Sequence, residues 1–213
     1  MNPGMAPDAT AGMGTRAPSP GVTREQALVA DLVPAGARVL DLGCGNGALL
    51  AHLTQAKGCT GYGVEIDDAN VLACARRGVN VVQLNLEDGL ALFDDRSFDV
   101  VLQLQTLQHL RNTEKMLRET ARVGRIGIVS FPNFAHWQNR FSVLRGRMPV
   151  TKTLPYQWYD TPNIRVSTLA DFEVLARRNG LNILDSFGIH AGAAVRRWPN
   201  LMASVAVFRF ERS

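Results

Sequence analysis

Lysine is nearly missing from this chain: only three of its 23 basic side chains are lysine, against twenty arginines. The bias is a matter of composition, and a net charge of +4 over 213 residues is too small to point to nucleic acid as a partner. Cysteine is equally sparse. Cys44, Cys59 and Cys74 are odd in number and show no paired spacing, which argues against a disulfide framework or a metal site and for reduced thiols in the cytoplasm. No apolar run approaches the ~18 residues of a membrane span. Residues 1–22, rich in Pro, Gly, Ala and Met, lack the apolar core of a signal peptide and read as a disordered tail. No internal repeat is found. What remains is a cytoplasmic globular chain, somewhat over the length of one domain of about 150 residues, with 46% apolar residues to supply a core.

What is present is concentrated at residues 39–47, Val-Leu-Asp-Leu-Gly-Cys-Gly-Asn-Gly, an apolar strand running into a glycine-rich turn. The glycines remove Cβ atoms that would keep a ligand off the backbone, and they permit positive φ. A second acid, Glu65, closes the next apolar stretch, Tyr62-Gly63-Val64. An acid at that place suits a ribose, whose two hydroxyls need a bidentate acceptor. The spacing predicts a nucleoside-bearing cofactor across the carboxyl ends of adjacent parallel strands. A dinucleotide site would want Gly-x-Gly-x-x-Gly with a pyrophosphate at the helix N-terminus. Here the pattern is Gly-x-Gly-x-Gly, and Asp41 stands two residues ahead of it. A carboxylate there repels a pyrophosphate but pairs with an ammonium, directly or through water. Adenosine at one end and an amino acid at the other describe S-adenosyl-L-methionine. The pattern resembles the first motif of class I methyltransferases. The cradle expected from it is Asp41, Gly43, Cys44, Gly45 and Gly47 with Glu65 and Ile66, holding S-adenosyl-L-methionine or S-adenosyl-L-homocysteine. A glycine turn that only packs helix on strand is the plainer alternative.

Strands and helices alternate through most of the chain. Thr23 and Gln26 form a capping box for a helix that Pro34 ends. Strands are expected over 38–42, 60–66, 79–84, 98–104 and 125–131, with helices over 46–57, 68–77 and 112–123 between them. Such alternation specifies a parallel sheet with helices on both faces. The rhythm breaks at Pro132 and resumes with a helix from the Thr168 and Asp171 capping pair to Asn179. Strands over 181–189 and 203–210, with no room for a long helix between them, suggest an antiparallel hairpin at the sheet edge. Seven strands, mostly parallel with the last reversed, make the Rossmann-like α/β sheet of class I methyltransferases.

Further candidates stand at the strand ends. Asn85, followed by Leu86, stands near the place where class I methyltransferases commonly have an Asp on the adenine amino group, and a turn-forming Asn is the alternative. Gln103 opens the run Gln-Leu-Gln-Thr-Leu-Gln-His to His109, where the backbone would meet the methionine end. His109 could be a base, or a residue that only caps a helix. Residues 132–165 hold six aromatics, among them Phe134 and Phe141, and five cations, Arg140, Arg145, Arg147, Lys152 and Arg165, against the single acid Asp160. Such a mixture fits a nucleic-acid surface, an acidic-substrate pocket or a partner interface, and equally a satellite core. No acid/base pair or nucleophile of known type assembles, so the catalytic residues stay unknown.

In this segment, the runs Arg122–Phe134, His136-Trp137, Arg145–Lys152, Leu154-Pro155-Tyr156 and Trp158–Ile164 resemble the methionine-biosynthesis MetW family. The likeness covers roughly residues 37–189, departing at Leu84-Asn85, where the family usually has Gly-Asp, and at Arg165, where it usually has His. The resemblance implies a methyltransferase-type domain over 23–213 with a cap at about 132–165, acting beside the homoserine O-acyltransferase MetX. Substrate or partner contacts then fall to His136, Trp137, Arg147, Tyr156, Trp158 and Tyr159. Two functions stand side by side: an S-adenosylmethionine-binding partner in methionine biosynthesis, and a small-molecule methyltransferase with the cap as its lid.

Overall fold

The computed structural model describes residues 19–213, so most of the expected tail lies outside the described residues. Of that stretch, Val22 is buried and the Ser19 hydroxyl hydrogen-bonds with His52 Nδ1 at 2.8 Å. Helix α1 (Arg24–Asp31) opens with the capping box, each of Thr23 and Gln26 accepting the other's backbone N–H. Then follow β1 (Arg38–Leu42), α2 (Ala48–Lys57), β2 (Thr60–Glu65), α3 (Asp68–Arg76), β3 (Val81–Gln83), β4 (Phe98–Leu104), α4 (Thr113–Val123) and β5 (Gly124–Pro132). The chain continues through α5 (Trp137–Leu144), α6 (Leu169–Arg178), β6 (Leu181–His190), β7 (Ala193–Val195), α7 (Pro199–Met202) and β8 (Val205–Arg212).

The sheet runs β3-β2-β1-β4-β5-β8-β6-β7, with β1 to β5 mutually parallel and β8 antiparallel to both its neighbours. This is the mostly parallel α/β sheet read from the sequence, with one strand more. The hairpin expected at the edge is the β6–β8 pairing, but β8 inserts between β5 and β6. The edge goes instead to β7, which at three residues is too short to carry an alternation signal. Helices α4 and α6 bury Met116, Leu117, Phe172 and Ala176 against one sheet face, and α1 and α2 bury Val29, Leu49 and Leu53 against the other. Residues 132–165 contain one helix the sequence pattern did not reveal, α5, in which only Asn139 is buried. Among the described residues no helix is long and apolar enough to cross a membrane.

Candidate functional site: a cleft at the strand switch point

Strand order reverses between β1 and β4, and the carboxyl ends of β1, β2 and β4 meet there around a cleft of about 520 Å³. That is within the range of ligand sites, roughly 300–1,000 Å³. In the β1–α2 turn Gly43, Gly45 and Gly47 have φ of +77°, +54° and +75°, backbone that L side chains adopt only with strain. A Cβ would strike Thr106 at Gly43 and Cys74 at Gly47, while over Gly45 it would meet nothing within 4 Å. The turn is thus packed at its outer glycines and bare at the middle one.

Glu65, buried at the end of β2, braces this turn. Its Oε2 accepts the Gly45 N–H at 2.8 Å, and Oε1 accepts those of Ile66 and Asp67 at 2.8 and 3.0 Å. A carboxylate offers about four lone-pair sites, so room is left for a further donor. Asp41 is buried at the end of β1. Burial, and then the Glu65 charge, push its carboxyl up to about 7 from 3.8. Two acids forced together away from water favour a cationic ligand group. The residues present therefore fit a ligand with a diol and an ammonium.

Gly43, Glu65, Ile66, Asn85 and Leu86 line the cleft. Asn85 opens the 3₁₀ turn Leu86–Asp88, its Oδ1 accepting the Glu87 N–H at 3.0 Å, so the local-turn role is realised at the cleft wall. His109 also lines the cleft, and its Nδ1 donates to the Pro162 carbonyl at 3.1 Å, which ties the cleft to the 132–165 segment. Five expected residues, Asp41, Cys44, Gly45, Gly47 and Gln103, are not among those lining it. Cys44 is buried beneath the turn with its sulfur 3.8 Å from that of Cys74, and burial pushes its thiol up. Gln103 is fully buried, with neither amide atom partnered among the described residues. Strand alternation sends it to the face of Val101, under α4 and α6, one residue short of the turn that matters.

Leu104, Gln105 and Thr106 stand in the cleft instead. Gln105 has a φ of +54°, rare for a side chain of its size. Its Nε2 donates to Glu25 Oε1 at 2.9 Å, and the Ser130 hydroxyl donates to the same oxygen at 2.8 Å. Glu25 was missed because its only local signal is membership of a capped helix. It reaches the site across 80 and 105 residues of chain.

A second cavity, of about 880 Å³, adjoins Glu25 and holds His136, Trp137 and His190 on its wall. The His136 ring is buried, stacked on His190 at 4.9 Å, with Nε2 unpartnered among the described residues. Burial and the neighbouring His190 lower its pKa, leaving a neutral imidazole. The other four candidates of the segment lie elsewhere. Tyr156 and Trp158 share a shallow groove with Met148, Tyr159 meets Trp158 edge-on at 5.6 Å, and Arg147 is exposed.

An open sheet of this order with a bare glycine turn at its switch point defines the class I methyltransferase fold. An S-adenosylmethionine-dependent methyltransferase of Thermotoga maritima, described as a possible histamine N-methyltransferase, superposes with a TM-score of 0.66 over 89% of this chain and 88% of its own, at 20% identity. Magnesium protoporphyrin IX methyltransferase of Synechocystis, solved with S-adenosylhomocysteine, does so with 0.60 over 87% and 78%, at 22% identity. Both likenesses speak of the fold alone. The chain belongs to the family described as methionine biosynthesis protein MetW, whose profile it matches over residues 24–210. It is 39% identical, over 202 residues, to the bifunctional methionine biosynthesis protein MetXA/MetW of Rhodopirellula baltica, covering 88% of this chain but only 32% of that relative's length.

Proposed function

We propose that this protein binds S-adenosylmethionine or S-adenosylhomocysteine in the switch-point cleft and supports homoserine acylation in methionine biosynthesis as a cytoplasmic partner of the acyltransferase MetX. The observation that carries the cofactor reading is Glu65, which braces the bare turn at Gly45 while keeping an acceptor site free. Ribose hydroxyls would go to Glu65, the ammonium towards Asp41, and the adenine beside Ile66, Asn85 and Leu86. When bound, S-adenosylmethionine supplies a sulfonium methyl group. The partner reading is supported by the joining of MetXA and MetW in one relative. It is supported further by the cap at 132–165, where Trp158, Tyr159, Met148 and Arg147 are all exposed. Large aromatics and arginine are the usual anchors of interfaces.

A second reading, a small-molecule methyltransferase, has one observation in its favour. The Glu25–Gln105 bond links the switch-point cleft to the cavity of His136, whose neutral imidazole is suited to take a proton from an acceptor. Calorimetry with S-adenosylhomocysteine, with and without MetX, combined with co-purification, decides between them. Binding together with a stable complex is expected. Cofactor binding without any complex, accompanied by a methylated product, would give the second reading precedence.

A further inference from the structure

On the opposite side of the 3₁₀ turn Leu107–His109 from the switch-point cleft lies a separate cavity of about 390 Å³, roofed by residues of the 154–167 stretch. Its floor is aromatic, with Phe131, Phe134 and Phe172. Two buried acceptor atoms at its wall, Gln108 Oε1 and Thr113 Oγ1, have no partner among the described residues. The orientation of Gln108 is set by its other end, since Nε2 donates to the Gln105 carbonyl at 2.8 Å. Turning the amide over would face oxygen to oxygen, so Oε1 is left as the orphan. A buried acceptor without a donor is destabilising, and a ligand N–H or O–H would relieve it.

The charged groups at this cavity are Arg111, Glu114, Arg118 and Arg165. Glu114 and Arg118 pair with each other at 3.5 Å. Arg165 donates to the Arg111 carbonyl at 2.8 Å, a neutral acceptor that leaves its charge uncompensated. The Arg111 guanidinium has no hydrogen bond or ion pair among the described residues. The rim is therefore cationic, the floor apolar and the wall short of a donor. We infer that this cavity is a second ligand site, for a small carboxylate with an apolar body and one N–H or O–H donor.

Its occupant would act on the cleft next door. Gln108 accepts the backbone N–H groups of Ile164 and Arg165 from the cap at 3.0 and 3.1 Å, while its side chain holds the carbonyl of Gln105, the strained residue of the cleft. A ligand donating to Gln108 Oε1 would fix the residue whose backbone carbonyl holds the cap and whose side chain holds the cleft turn. The carboxylate site stands without the cofactor reading; only the coupling rests on it.

The probe is N-acetyl-L-leucine, titrated into the full chain by calorimetry first without and then with S-adenosylhomocysteine. Saturable binding is expected, weakened about tenfold for the methyl ester or in Arg111→Ala and lost in Val166→Trp, which fills the roof. Both variants should keep the melting temperature and the cofactor affinity of the parent chain. Saturating probe should shift S-adenosylhomocysteine affinity by about threefold or more. No saturable heat up to about 10 mM, or equal binding of acid and ester, overturns the site. Binding with unchanged cofactor affinity overturns the coupling, and probe binding in a chain that never binds S-adenosylhomocysteine retires the cofactor reading while the site stands.

Discussion

Glu65 accepts three backbone N–H groups, one of them from Gly45 across the turn, so the carboxylate proposed for the ribose also shapes the loop that would hold the rest of the cofactor. Glu65→Ala removes both functions. S-adenosylhomocysteine affinity should fall by about 2–4 kcal/mol, with a lowered melting temperature. A variant that melts and binds like the parent chain would sink the ribose assignment. Asp41 offers a test by pH. Its carboxyl is raised to about 7 by burial and by Glu65, so the folded chain binds that proton more tightly than the unfolded one. The stability it contributes is complete below about pH 4, is lost as pH rises towards 7, and stays lost above. An ammonium bound beside it favours the charged form. Cofactor binding at about pH 6 should release a proton, affinity should climb to a plateau near pH 8, and Asp41→Asn should flatten the profile. Calorimetry in buffers of unlike ionisation enthalpy counts the proton.

Strand β2 is intolerant of any added side chain at one position. Gly61 has a φ of +148°, and a Cβ there would collide with the Val39 carbonyl of β1. Gly61→Ala should cost about 2–3 kcal/mol or more through overpacking against a backbone that cannot yield, read as a lowered denaturation midpoint. The cap behaves in the opposite way. Helix α5 and the residues after it leave Leu144, Trp158 and Tyr159 largely exposed, so substitution there should hardly touch stability. Trp158→Ala or Arg147→Ala should weaken association with MetX by about 2 kcal/mol, roughly thirtyfold, and leave cofactor affinity intact. Lost cofactor affinity with association unchanged would identify the cap as a lid over the site.

At the scale of the whole molecule, the sheet is held from its α4/α6 side by the rings of Phe131, Phe172 and Phe208, with centroids 4.5–6.0 Å apart. Phe172→Ala should lower stability by about 3–5 kcal/mol, measured by chemical denaturation. By itself the sequence determined the class of fold. The apolar strands, capped helices and Gly-x-Gly-x-Gly turn are local signals, each set by side chains within a few residues of one another. They sufficed to place Asp41, Glu65 and the turn between them beside one another, because parallel neighbours must bring their carboxyl ends together. Only the tertiary structure decided the rest. It inserted β8 between β5 and β6 and gave the edge to a three-residue strand. It turned Gln103 into the core and brought Gln105 to the cleft in its place. It also joined Glu25 to Gln105 and Ser130. The facing of one residue at a strand end, and a hydrogen bond spanning 80 residues, depend on how elements dock, and no window of local sequence carries that information.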